Sequence, residues 1–259
     1  MNEDAVVVAI DHGLHWGCYD EFADPEAVLR ELLEANVDGL LAGVPFFDRF
    51  QSLIDGYDVH RIATLDLLHN STVPGGDDGT EIHTQVFSPE AAVEAGTDAA
   101  KMALVYGRSD QTVLSENIKF VADAVQACNK VDLPLVVEPT LWGREIDDKF
   151  DGEMLADAAR IGFELGADVL KTPYPGVEEF GPIVENAPVP VYIAGGPALD
   201  NDRDVLEMVA EARDAGSRGV MFGRNAWQRE DPAAMIDAFR RIVHDGDSVD
   251  EAAAALEEV

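Results

Sequence analysis

Positive charge is what this chain has least of. Its 259 residues hold 18 Lys and Arg against 51 Asp and Glu, a formal net charge of −33 at pH 7. Lysine occurs only at positions 101, 119, 130, 149 and 171, and the longest basic run is Arg240–Arg241. A nucleic-acid backbone is repelled by such a chain and finds no basic patch to hold it, so nucleic acid is not an expected partner. Cysteine is also scarce. Cys18 and Cys128 are too few for a disulfide framework and lack metal-ligand spacing. There is no N-terminal signal pattern and no apolar run of about 18 residues, so a cytoplasmic protein with no membrane partner is expected. No GxSxG elbow and no HExxH pair occurs, which leaves serine-hydrolase and zincin chemistry without support.

What is present is a core and an acidic coat. Hydrophobic residues make up 47% of the chain, enough that the acidity does not imply disorder. The acids run along the whole length rather than gathering in a tail. Their mutual repulsion works against a compact state unless salt screens it, and at 1 M salt the Debye length is about 3 Å. A halophilic protein working in a salt-rich cytoplasm is the expectation, and the charge then describes the solvent rather than the substrate.

The chain alternates. Apolar, β-rich runs fall at Val6–Ile10, Gly39–Ala42, Arg61–Leu65, Ala99–Val105, Leu135–Glu138, Val169–Lys171, Val189–Ile193 and Gly219–Phe222. Helix-period stretches lie between most of them: Pro25–Ala35, Thr112–Val131, Met154–Leu165, Asp202–Ala215 and Pro232–His244. A recurring punctuation closes the units, at Ala35–Asp38, Ala95–Asp98, Leu165–Asp168 and Ala215–Arg218. In three of these a glycine is placed to end a helix in a left-handed cap. Strands apolar on both faces suit a parallel sheet covered by helices. Eight such units in about 250 residues predict a single (β/α)8 TIM barrel over residues 1–259, with 248–259 as a C-terminal helix. A doubly wound sheet is the competitor, but no GxGxxG turn follows the first strand. The segment Asn70–Glu81 reads as a long loop and the expected mobile element.

Such a barrel carries its chemistry at the C-terminal ends of its strands. There stand Asp11, Asp66, Glu138 and Lys171, with Ala194-Gly-Gly-Pro197 and Gly223-Arg-Asn225 after the last two strands. A lysine held at an apolar barrel mouth loses hydration of its charged form, and its free amine can attack a ketone to form an iminium. The bland alternative for Lys171 is snorkelling to solvent or pairing with an acid. Lys101 stands early in its strand, which suits an ion pair inside the barrel better than catalysis. Bare amides at Gly195, Gly196 and Gly223, with Arg224, suit a phosphate. Tight turns alone would also use those glycines. His12, His15, His69 and His83 flank two loops and make a zinc site conceivable, though loop hydrogen bonding explains them better; no metal and no cofactor is expected.

Asp11-His-Gly13, Gly166-Ala-Asp-Val-Leu-Lys-Thr-Pro-Tyr-Pro-Gly176, Ala194-Gly-Gly-Pro197 and Gly223-Arg-Asn-Ala-Trp-Gln228 occur in that order. Together they resemble the archaeal-type class I fructose-bisphosphate aldolases. That branch also contains 2-amino-3,7-dideoxy-D-threo-hept-6-ulosonate synthase and the autoinducer-2 aldolase-like thiolase. The resemblance spans about Val6 to Arg241. It implies a metal-independent, homo-oligomeric lyase with Lys171 as the Schiff-base lysine and Asp11 on the substrate hydroxyls. Gly195, Gly196, Gly223 and Arg224 would hold the phosphate of a dihydroxyacetone phosphate moiety. Fructose 1,6-bisphosphate is the default substrate. A transaldol-type or thiolase-like reaction on another phosphorylated ketose is the alternative, and a barrel that binds phosphometabolites without catalysis is a third reading.

The chain departs from the family after the fifth strand. Thr140 stands at the position of the family's acid/base tyrosine and Trp142 at that of an arginine. Glu138, desolvated to a raised pKa, is the expected replacement, with Tyr174 and Asp11 in reserve. A salt bridge from Glu138 to Lys171 or Lys101 is the competing role. Ala194 replaces a frequent serine, and Phe46–Phe47 and the 70–81 loop are expected to shape the pocket.

Overall fold

The computed structural model describes residues 3–69, 71 and 82–256. Its strands are β1 (Ala5–Ala9), β2 (Gly39–Gly43), β3 (His60–Thr64), β4 (Asp66–Leu68), β5 (His83–Gln85), β6 (Ala99–Tyr106), β7 (Leu135–Leu141), β8 (Val169–Pro173), β9 (Val191–Ala194) and β10 (Gly219–Phe222). Eight of them close into a parallel barrel in the order β1-β10-β9-β8-β7-β6-β3-β2, and β4 pairs antiparallel with β5 as a separate hairpin. The fold is a (β/α)8 barrel, as the alternation predicts. The expected loop at 70–81 lies, apart from Ser71, outside the described residues, as do the last three residues of the expected C-terminal helix, which spans Val249–Leu256.

The period of two along each strand sorts the core into two layers. Val7, Ala9, Leu41, Ile62, Ala99, Val136, Val169, Tyr192 and Met221 fill the barrel interior. Their neighbours, such as Val8, Leu40, Val137, Leu170 and Phe222, face the helices outside. Both faces are dry, which is why these strands read as unbroken apolar runs.

The helices start where capping residues stand. Asp24, Ser88, Asp151 and Asp231 each accept an amide from the third residue beyond, at the mouths of the helices Pro25–Glu34, Pro89–Glu94, Gly152–Glu164 and Pro232–Arg240. The recurring punctuation has a double use at the barrel floor. Gly96, Gly166 and Gly216 adopt the left-handed φ values of +73°, +105° and +102° that end each helix. Two residues after Asn36, Gly96 and Gly166 an aspartate then caps a neighbouring strand: Asp38 accepts the Val6 amide at 2.7 Å, Asp98 that of Arg61 at 2.9 Å, and Asp168 that of Leu135 at 2.8 Å.

Several elements differ from the periodicity reading. Val44–Ile54 and Val177–Asn186 are helices, the second with Pro182 inside it. The expected helix to His244 is α-helical only to Arg240 and continues as a π-helical turn, Arg241–Asp245. The stretch after β1 is a short helix, His12–Trp16, rather than an open loop. Phe46 and Phe47 lie in the Val44–Ile54 helix and pack into the outer layer, Phe47 completely buried, so they do not shape the pocket as expected.

Candidate active site

On four of the strands the interior face passes from an apolar residue to a charged one two positions on. Asp11 comes two residues after Ala9, Lys101 after Ala99, Glu138 after Val136 and Lys171 after Val169. They line one cavity of about 320 Å³ at the C-terminal mouth, together with Thr140, Gly195, Gly196, Gly223 and Arg224. Lys171, Asp11 and Glu138, and the expected phosphate ligands Gly195, Gly196, Gly223 and Arg224, are therefore all on its wall.

At the centre a single carboxylate holds both lysines. Glu138 Oε1 lies 3.0 Å from Lys171 Nζ and Oε2 lies 2.7 Å from Lys101 Nζ. Lys171 and Lys101 are only 7% and 2% exposed, so the pairing is made in a dry environment where charge counts for more. Burial alone would push the Glu138 carboxyl up. The two ammonium groups outweigh it and hold the carboxyl below its ordinary value. The expected raised pKa of Glu138 is thus corrected: the group is an ionised carboxylate. Burial likewise works against the Lys101 ammonium, but Glu138, Asp66 and Asp11 overcome it and raise its pKa. Lys101 is a fixed cation in an ion pair and not a free nucleophile.

Asp11, 6% exposed, accepts from Thr64 Oγ1 at 2.7 Å, with His15 Nε2 at 3.4 Å from the same oxygen. His15 Nδ1 takes the amide of Leu68 at 3.2 Å, which leaves Nε2 to carry the proton toward Asp11. Burial would raise the Asp11 carboxyl; the hydrogen bond from His15 and the charge of Lys101 win, and it sits well below the usual carboxylate range. It is a hydrogen-bond acceptor rather than a proton carrier near neutral pH. His12 faces the same cavity, and its Nδ1 is 3.7 Å from Asp11. Burial lowers its pKa to about 4, so the ring is neutral. Asp66 lies behind Lys101 and accepts from the Ala103 amide at 2.8 Å and from His83 at 2.7 Å, with His83 Nδ1 taking Arg108. His15 and His83 are thus spent on hydrogen bonds to carboxylates. Among the described residues no trio of His, Cys, Asp and Glu is arranged to hold a metal ion.

The glycine end is held by a residue that the sequence reading left unassigned. Asn225, completely buried, donates to the carbonyls of Gly195 at 2.7 Å and Pro197 at 3.1 Å. Its oxygen accepts from the Leu199 amide at 2.9 Å and from Arg229 at 2.7 Å. A trans peptide points its N–H opposite its C=O, so anchoring the Gly195 carbonyl turns the Gly196 amide away from Asn225. Arg224 donates to the Gly196 carbonyl at 3.1 Å. Gly223 must lack a side chain, because a Cβ there would stand 2.2 Å from His12 Cε1. The next turn is pinned by Trp227, whose indole donates to the Ala9 carbonyl at 2.9 Å. The signal available in sequence was the run Gly223-Arg-Asn-Ala-Trp227 itself, each member of which has a contact.

One expectation fails here. Tyr174 follows the inward-facing Pro173 and points outward, donating to Glu211 at 3.0 Å. Burial and the Glu211 carboxylate raise its pKa, so it is no reserve acid. Thr140 does line the cavity where the missing tyrosine was placed, and Trp142 stands above it, stacked on Trp16 with ring centres 5.7 Å apart. Cys128, on a helix, has its thiol pushed up to about 12 by burial.

Residues 5–229 match the DeoC/LacD family aldolase. The chain is 33% identical over 254 residues to a class 1 fructose-bisphosphate aldolase of Halobacterium salinarum, covering 95% of this chain and 93% of that protein. It is 34% identical over 253 residues to a 2-amino-3,7-dideoxy-D-threo-hept-6-ulosonate synthase of the same organism, covering 96% and 90%. Among solved structures it superposes with a TM-score of 0.81 on an archaeal fructose-1,6-bisphosphate aldolase whose catalytic lysine is covalently bound to a carbinolamine intermediate. The identity is 30%, with 93% and 94% of the two chains covered.

Proposed function

The chain belongs to the DeoC/LacD family of aldolases and is a class I, Schiff-base lyase; on that premise we propose that it cleaves and forms a phosphorylated ketose through an imine on Lys171. The observation that carries this reading is the position of Lys171. It ends an interior strand face, nearly sealed from water, with a carboxylate 3.0 Å away to take its proton.

In the cleavage direction the Lys171 ammonium gives a proton to Glu138, whose other oxygen stays on Lys101. The free amine adds to the ketone carbon, and the carbinolamine loses water to become an iminium. A base then takes the proton of the hydroxyl on C4, the C3–C4 bond breaks, and its electron pair moves into the iminium to make an enamine. The aldehyde half leaves. Protonation of C3 and hydrolysis release the ketone half and restore Lys171. Glu138 is the proton carrier, because it touches the reacting nitrogen. Asp11, with its depressed pKa, orients hydroxyls. The phosphate of the ketone half would take the Gly195, Gly196 and Gly223 amides and the Arg224 charge. Fructose 1,6-bisphosphate is the first substrate to try. The equal similarity to a 2-amino-3,7-dideoxy-D-threo-hept-6-ulosonate synthase supports a transaldol-type transfer as the second reading, and product analysis separates the two.

The test is borohydride reduction in molar KCl with dihydroxyacetone phosphate, then with fructose 1,6-bisphosphate, followed by peptide mass mapping. A reduced adduct on Lys171 is expected. An adduct on Lys101, or none in protein shown to be folded at that salt, overturns the reading.

A further inference from the structure

The cavity has two unlike ends. At the β9–β10 end stand the glycine amides and Arg224. Phe150 belongs to this end, since its ring lies 3.8 Å from where a Cβ would stand on Gly196, and Lys149 sits over that ring at 5.3 Å. At the opposite end the wall is Trp16, Leu68, Leu141 and Trp142. The two indoles are stacked with their planes 17° apart, and Trp142 packs against Leu68, Ala103 and Val105. Lys171 lies between the ends, on β8.

A substrate bound by its phosphate at the glycine end and by its carbonyl at Lys171 sends its remaining half toward the indoles. Among the described residues, that half meets no free positive charge on the cavity wall. Lys101 and Lys171 share Glu138, and Arg224 and Lys149 belong to the other end. His12 is neutral near pH 7. Arg108 is buried on His83, and Arg144 is not part of the wall. A phosphate dianion moved against indole and leucine loses hydration with nothing to replace it, at a cost of several kcal/mol. The C–H faces of a sugar or an alkyl aldehyde lose nothing there and gain contact area.

We infer that the aldehyde half of the substrate is uncharged. The enzyme cleaves and forms ketoses phosphorylated at C1 only, and Trp16 and Trp142 select the unphosphorylated aldehyde. The inference rests on the imine reading above. It involves the same aldol step, in which the enamine carbon bonds to the aldehyde carbon and the aldehyde oxygen takes a proton.

The experiment compares kcat/KM for fructose 1-phosphate and fructose 1,6-bisphosphate in the same molar KCl. In the forward direction it compares glyceraldehyde and propanal with glyceraldehyde 3-phosphate, each joined to dihydroxyacetone phosphate. A preference of tenfold or more for the singly phosphorylated ketose and for the uncharged aldehydes is expected. A ratio below ten, or no bond formation with either uncharged aldehyde, overturns the inference. Trp142→Arg is expected to lower the ratio at least tenfold while Trp142→Leu keeps it; an unchanged ratio in a folded W142R protein removes Trp142 from the selection. Borohydride trapping with dihydroxyacetone phosphate is run alongside. An adduct on Lys171 with a preference for the bisphosphate defeats this inference alone, whereas no adduct defeats the imine reading beneath it.

Discussion

Glu138 approaches Lys171 to 3.0 Å through one carboxylate oxygen and has its other oxygen engaged 2.7 Å from Lys101. The arrangement makes Lys101 a positioning residue. It keeps the carboxylate ionised and aimed at Lys171.

Glu138→Gln keeps the side-chain volume and removes the proton acceptor. It is expected to lower kcat by about 10²–10⁴. Lys101→Met leaves Glu138 with one partner inside the barrel and is expected to destabilise the fold by roughly 3–5 kcal/mol, the usual cost of breaking a buried ion pair. Denaturant midpoints alongside kcat separate the two roles. A Glu138→Gln enzyme of wild-type rate would remove Glu138 from proton transfer.

Acid should weaken the protein in two stages. Burial holds His12 at about 4 in the fold, against about 6.5 in the unfolded chain. Between those values the unfolded state binds the extra proton, so stability falls as pH falls through that window. At pH 5 the loss from this ring is ~2 kcal/mol. Asp66 follows: burial raises its carboxyl, but Lys101 and His83 bring it to about 2. Its contribution is complete above an unfolded value of about 4 and is lost as pH drops toward the folded one. Urea unfolding at pH 7.5 and pH 5 checks the first stage. In His12→Gln the loss between those pH values should shrink by ~2 kcal/mol, and an identical loss would show that His12 is charged in the fold.

Asn225→Ala removes the clamp on the Gly195–Leu199 turn. Four hydrogen bonds go with it, and stability should drop by about 1–3 kcal/mol through the buried groups left unpaired. The larger effect falls on the phosphate. KM for the ketose phosphate is expected to rise roughly tenfold with kcat changed little, because the chemistry at Lys171 stays intact. Steady-state kinetics in molar KCl decides it; a kcat loss with KM unchanged would assign Asn225 elsewhere.

The net charge of −33 predicts a salt requirement. Thermal unfolding followed across KCl concentrations should give a transition temperature that climbs steeply up to about 1 M, as the Debye length contracts to about 3 Å. A transition insensitive to KCl would mean that the acids cost the fold nothing and that a halophilic reading is unnecessary.

The barrel was legible because its cause is local. Two-sided burial leaves an unbroken apolar run, and a helix end leaves a glycine and an aspartate. The site was legible through parity: Asp11, Lys101, Glu138 and Lys171 each stand two residues beyond an interior apolar residue. Parity also explains Tyr174, one residue past the inward Pro173 and therefore outside. What stayed hidden depends on contacts between different units. Burial of Glu138 could be read from its strand, but the direction of its pKa is decided by two lysines on two other strands. Asn225 and the Trp16–Trp142 stack were hidden for the same reason, since each joins loops far apart in the chain. Phe46 and Phe47 misled because a strand-end aromatic and the first turn of a helix look alike until the helix is recognised.

The seam of the barrel has a further consequence. β1 pairs with β10 through Ala5–Gly219 to Val8–Phe222, and Asp11 and Gly223 follow those two strands. A chain in which all the other pairings had formed would already hold Glu138 beside Lys171, on neighbouring strands, but would lack Asp11 and His12 beside Gly223. His12 reaches its place over Gly223 only when the seam shuts. The site is thus complete only when the first strand of the ring is joined to the last, and a ketose phosphate that touches both Asp11 and Gly223 would favour the joined ring over the open one.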